Sequence, residues 1–275
     1  MTTLIHSSSR TAPTIRPRVR SIANLLAPLE QLAAHSANLV ASREAYFESR
    51  GERYDLAHYM FIGPRGGDAP IRLGIFAAIH GDEPEGAYAL VRFIEFLEKY
   101  PEIAQGYLLS ILPVCNPTGF EDNTRVSRNG KDLSREFWKN SSEPEVRLLQ
   151  SELLTRAFNG LISLRTDATS EGFYGVVRGA TLTKHLIGPA LAAAEQFLPR
   201  DERVNIDGFA ARHGVVRDDR EGVLSAPPGV RSRPFEIILA APKAPPAYLK
   251  ECAFVAALQT ILTEYRKLIA YAPNL

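Results

Sequence analysis

His80 and Glu83 stand three residues apart in the run IFAAIHGDEPEGAYAL, residues 75–90. Apolar residues lead into the histidine, Gly81 and Asp82 follow, and an apolar-periodic run begins after Pro84. That order predicts a buried strand, a tight turn and the start of a helix. Across such a turn an imidazole and a carboxylate can converge on one point. A zinc ion requires convergence of that kind between nitrogen and oxygen donors. The plainer reading of the same acids is a helix N-terminus whose carboxylates suit its dipole. An isolated H-x-x-E pair has little specificity, and the strand, turn and helix around it are what give it weight.

The rest of the chain supplies elements able to hold such a pair. Residues 71–79 and 107–114 read as buried strands, and 87–100 as a helix between them. Further strands are predicted over 54–62, 160–165, 172–177 and 234–239, and helices over 21–40, 144–158, 181–197 and 248–270. Several strands are apolar throughout and alternate with helices, the pattern of an α/β fold whose sheet is covered on both faces. The 275 residues, 45% of them hydrophobic, suffice for one large core. The organisation expected is a polar arm over residues 1–20 and a single domain over 21–275.

Composition narrows the function classes. Thirty-two basic residues face 31 acidic ones, a net charge of +1, which gives no footprint for nucleic acid or an anionic membrane. Cys115 and Cys252 are too few for a disulfide scaffold. No apolar run reaches the roughly 18 residues of a membrane span. The first twenty residues lack the apolar core of a secretory signal, so a cytoplasmic location is expected.

The segment NPTGFEDNTRVSRNGKDLSREF, residues 116–137, extends the chemistry. It resembles the N-P-x-G…R…N-G-x-D-L-N-R-x-F segment of the zinc carboxypeptidase superfamily, and it follows the H-x-x-E pair at compatible spacing. The resemblance runs from about residue 71 to 270. It implies a three-layer α/β/α fold with a mixed, mostly parallel sheet. It also implies a zinc-dependent hydrolase acting on a C-terminal peptide bond or an acylated amino acid. By that resemblance His80 and Glu83 are the first two zinc ligands. Asp132 is the carboxylate bonded to the far nitrogen of the histidine, which fixes its tautomer. Arg125 polarises the scissile carbonyl and holds the oxyanion. Arg135 grips the terminal carboxylate of a peptide or small substrate with its planar fork. Outside the motif these arginines would read as solvated loop charges.

Three positions depart from the family pattern. Ser134 stands where the family has an asparagine beside the carboxylate-gripping arginine, so one hydroxyl replaces an amide in substrate binding. The third ligand, a histidine, falls on Arg165 in GLISLR, and a guanidinium has no lone pair to give a metal. Asp167, two residues on, is the substitute ligand available from the same side of an extended chain. The general base, a glutamate on the late strand PFEIILAAP, falls on Ala240 in one register and on Glu236 in another. With both losses the reading becomes a metal-free module in which Arg125, Arg135 and Arg165 surround a pocket for a carboxylate-ended peptide or small anion. The resemblance places the residues lining a specificity pocket within about 172–233. Arg178, Arg212, Arg217 and Arg220 lie there, and sequence does not choose among them.

Overall fold

The structure, a computed structural model, describes residues 19–66, 69–179, 183–218, 224–231 and 233–271. Most of the expected N-terminal arm, and Arg220, lie outside the described residues. In chain order the elements are α1 (Ile22–Ala33), β1 (Leu39–Ser42), β2 (Tyr46–Ser49), β3 (Glu52–Asp55), β4 (His58–Ile62) and β5 (Ile71–Ala77). There follow α2 (Glu85–Lys99), β6 (Tyr107–Leu112), α3 (Pro117–Asp122), α4 (Pro144–Thr155), β7 (Gly160–Asp167) and β8 (Tyr174–Gly179). The chain continues through α5 (Thr183–Ala194), β9 (Asn205–Ile206), β10 (Phe209–Arg212), β11 (Val215–Arg217), β12 (Phe235–Pro242) and α6 (Ala247–Tyr271).

Ten strands form one mixed sheet in the order β1-β4-β6-β5-β7-β12-β8-β11-β10-β9, and β2 and β3 form a separate hairpin. Strands β6, β5, β7 and β12 run parallel at its centre. The side-chain period of two sorts the faces. Ile75, Ile111, Ile162, Leu164 and Leu239 pack into the core that includes α2, α5 and α6. Phe76, Leu112 and Leu161 point the other way, against Val146, Leu149 and Leu153 of α4. Helices therefore cover both faces, as the apolar strands anticipate, and among the described residues no helix is long and apolar enough to cross a membrane.

Two of the expected elements are divided in the structure. The helix read over 21–40 stops at Ala33, and Leu39 and Val40 open the edge strand β1. Ser36 Oγ accepts from the amides of Asn38 and Leu39, and that local turn outcompetes another helical turn. The single strand read over 54–62 is two, because Leu56 N–H turns aside to Ala45 O between β3 and β4.

Candidate functional site

Strand β5 delivers His80 to the C-terminal edge of the sheet. The chain leaves the strand through Ala78, at φ 49°, and the carbonyls of Ala77 and Ala78 are taken by the amides of Cys115 and Asn116. A side chain at Gly81 would place its Cβ 1.9 Å from the carbonyl carbon of Gly119, so only glycine allows α3 to seat against this turn. Arg20 donates to Gly81 O at 2.7 Å and to Asn123 Oδ1 at 2.6 Å, tying the turn to the end of α3.

The expected pair forms. His80 is fully buried, with Nδ1 2.6 Å from Glu83 Oε1. On its far side Nε2 lies 3.0 Å from Asp132 Oδ1, the carboxylate placed there by the motif. Nε2 is also 3.0 Å from Ser134 Oγ, and that hydroxyl donates to Asp132 Oδ1 at 2.6 Å. Ser134 thus spends its hydroxyl proton on Asp132 while also bordering the pocket described below. Burial pushes the Asp132 carboxyl up, but hydrogen bonds from His80 and Ser134, with the charge of Arg125, hold it far below the usual carboxylate range.

Arg125 reaches over the pair, with Nη1 3.4 Å from Glu83 Oε1 and Nε 3.3 Å from Asp132 Oδ2. Arg135 is 76% exposed and sits 3.7 Å from Asp132 Oδ2. The loop carrying both is braced by Arg128, which donates to both oxygens of Asp122 and to Glu52. Ser127 completes the brace by donating to the buried Glu143 at 2.8 Å.

Arg165 arrives on β7 beside the same pair. Its Nη2 is 3.4 Å from His80 Nδ1 and its Nε is 4.0 Å from Glu83 Oε2. Asp167 does not join them. Its Oδ1 accepts from Thr169 N–H and Oγ1, and its Oδ2 accepts from the Tyr174 hydroxyl at 2.9 Å. The expectation of Asp167 as a replacement ligand therefore meets a carboxylate engaged by its own turn. Glu236 is likewise displaced. It lies four residues before Ala240 on β12, roughly 13 Å along the strand, and its Oε1 accepts from Ala226 N–H. Ala240, not Glu236, lines the pocket with Arg165. In the parallel β12–β7 ladder Ala240 pairs with Arg165 and Glu236 with Leu161.

These groups border a pocket of about 630 Å³. Arg125, Arg135, Lys139 and Arg165 line it together with the apolar Val176, Val216 and Ile238. Arg178 and Asp218, both buried, also line it, with Nη2 of the arginine 3.3 Å from Oδ2 of the aspartate. Arg178 is thus the specificity-stretch arginine that lines the pocket, whereas Arg212 and Arg217 are exposed. Sequence reasoning missed Lys139, which has no motif, and Thr166, whose amide donates to Glu83 Oε2 at 2.9 Å. It also missed the buried Lys250 on α6. Lys250 donates to Glu85 Oε1 at 2.6 Å, and Thr166 Oγ1 donates to Glu85 Oε2 at 2.9 Å.

The fold has counterparts. Residues 70–163 match the succinylglutamate desuccinylase/aspartoacylase catalytic domain family. No curated protein matches by sequence. Among solved structures, a provisionally assigned metallopeptidase from Shewanella denitrificans superposes with TM-score 0.73 at 19% identity, covering 88% of this chain and 89% of that one. A metallo-carboxypeptidase from Burkholderia cenocepacia gives 0.69 at 15% identity, over 90% and 70% of the two chains. One from Pseudomonas aeruginosa, in complex with (2-guanidinoethylmercapto)succinic acid, gives 0.65 at 18% identity, over 90% and 70%. The chain has the zinc carboxypeptidase fold.

Within the carboxypeptidase fold the donor set decides whether zinc fits. Catalytic zinc takes three protein ligands and a water. Among the described residues no group of three His, Cys, Asp or Glu side chains is placed to hold a metal ion. His80 and Glu83 supply two donors, and the third approach is filled by a guanidinium that offers only N–H groups. The residues present do not fit a catalytic zinc.

Proposed function

We propose that this protein binds ligands ending in a free carboxylate, namely a peptide C-terminus or an acylated amino acid, on a carboxypeptidase fold that does not hydrolyse them. The observation that carries this reading is that Arg125, Arg135 and Arg165 line one pocket with Ala240, the residue we read as standing in place of the base. Guanidinium forks match planar carboxylates in two-point contacts. Exposed Arg135 is the natural first contact, and Arg125 and Arg165 lie behind it. An alanine methyl cannot take a proton from water, and loss of a general base alone costs about 10²–10⁴ in rate. The Pseudomonas structure, with its succinic acid derivative, is consistent with carboxylate recognition by this fold.

A second reading is a zinc hydrolase, favoured by the His80–Glu83 contact and by the family match over residues 70–163. It requires a third ligand and a base from elsewhere. Calorimetric titration separates the two readings when joined to a hydrolysis assay. N-acetyl amino acids and short peptides should bind as free acids, lose affinity as C-terminal amides, and emerge uncleaved. Cleavage that is absent in His80→Ala would favour the second reading.

A further inference from the structure

We infer that the Arg165 guanidinium takes the place of the metal ion, so that the site is assembled by hydrogen bonds and ion pairs and works without metal. Glu83 lies between His80 and Arg165. A carboxylate offers about four lone-pair positions. Here Oε1 faces His80 Nδ1 at 2.6 Å and Arg125 Nη1 at 3.4 Å, while Oε2 faces Thr166 N–H at 2.9 Å and Arg165 Nε at 4.0 Å. The Arg125 and Thr166 N–H groups donate to the carboxylate, and the Arg165 guanidinium adds a third cationic or N–H neighbour at ion-pair distance. A metal would need lone pairs of Glu83 and His80 free of such neighbours.

Arg165 reaches this position because of its neighbour. Ala240 stands beside it in the β12–β7 ladder, and a methyl group leaves the pocket open over the long arginine side chain. The substitution is chemically coherent. A divalent ion gathers acceptors, whereas a guanidinium brings donors and one delocalised charge. It can therefore hold Glu83 with one ligand fewer. With 30% of its side chain still exposed, Arg165 also presents N–H groups to the pocket, where Arg125 stands beside it. A ligand carboxylate there would be met by guanidinium edges in place of a metal. This last point rests on the binding function proposed above. The replacement of the metal does not.

The test uses the full-length protein and zinc itself. After equilibration with excess zinc and dialysis, elemental analysis should find wild type essentially free of zinc. Its melting temperature should be the same in zinc and in EDTA. Arg165→His restores a third ligand and should take up about one zinc per chain, as a three-ligand site does. Its melting temperature should rise with zinc, and adding His80→Ala should abolish both effects. A folded Arg165→His variant that stays zinc-free would overturn the inference. So would about one zinc per wild-type chain that is lost in His80→Ala, since the site would then hold metal despite Arg165. That wild-type arm decides even where Arg165→His does not fold. Titration of N-acetyl amino acids in EDTA reads the ligand separately. Zinc-free protein that binds no carboxylate would overturn the binding function and leave the metal replacement standing.

Discussion

Arg165 on β7 and Ala240 on β12 are register partners in one parallel ladder, and both line the same pocket. They are the positions onto which the resemblance carries the third ligand and, in one of two registers, the base. Because they touch the same space, a change at one alters what the other can do. Arg165→His alone restores a donor but leaves no base. Ala240→Glu alone puts a carboxylate beside a guanidinium, where it forms an ion pair. Only the double variant should hydrolyse an N-acyl amino acid in zinc. It should exceed Arg165→His by about 10²–10⁴, the usual worth of a general base. Initial rates for the four proteins provide the check, and equal rates for the single and double variants would refute this assignment of Ala240.

Arg135→Ala should weaken carboxylate ligands while leaving the fold intact. The side chain is 76% exposed and makes one long contact, to Asp132, so stability should move by less than about 0.5 kcal/mol. A charge-assisted hydrogen bond is worth about 1.5–3 kcal/mol, so the Kd for a free-acid peptide should rise roughly ten- to a hundredfold. Calorimetry beside a urea melt measures both, and an unchanged Kd would remove Arg135 from the site.

Lys250 and Glu85 form a buried pair behind the site, and through Thr166 they touch the residue whose amide holds Glu83. Lys250→Met leaves Glu85 without its cation and should cost about 3–5 kcal/mol, the usual price of breaking a buried pair. Burial pushes the Glu85 carboxyl up, but hydrogen bonds from Lys250, its own amide and Thr166 outweigh that and hold it below its ordinary value. A depressed carboxylate contributes stability that is present above its unfolded pKa, about 4.3, and lost as pH falls through the lower folded value. Wild type should therefore lose stability on acidification below about pH 4, and Lys250→Met should lose less over the same range. Urea midpoints across that range test the sign.

Gly81→Ala should destabilise the molecule more than an ordinary surface substitution. The added Cβ would meet backbone of Gly119 at 1.9 Å, and neither chain can swing aside as a side chain would. Overpacking of this kind costs about 1–3 kcal/mol or more. A thermal melt within one degree of wild type would show that α3 is free to shift.

Cys115 should resist alkylation in the folded protein. Burial pushes its thiol up to about 12, so the reactive thiolate is scarce at neutral pH, and the group is closed to reagent. Cys252, half-buried on α6, should be labelled first by iodoacetamide at pH 8. Peptide mass mapping before and after unfolding separates the two.

What the sequence determined is the chemistry held by short spans. The apolar run before His80, the turn and the three-residue spacing to Glu83 are local, and the two side chains meet in the fold. Asp132 and Arg125 lie in one motif whose loop brings them to that pair. The identities of Arg165 and Ala240 were equally legible, since no fold can give a guanidinium a lone pair or a methyl group a basic site.

The fold alone decided how residues far apart in sequence meet. Glu236 and Ala240 share one face of one strand, so periodicity cannot choose between them. The β12–β7 register sets Ala240, and not Glu236, at the level of Arg165. Asp167 was plausible as a ligand until the turn after β7 claimed its oxygens for Thr169 and Tyr174. Lys250 reaches Glu85 across 165 residues, and nothing at either position announces the other. Local spacing fixes which groups a turn can present. Which groups share a pocket follows from the pairing of strands and the packing of helices, and those depend on the whole chain at once.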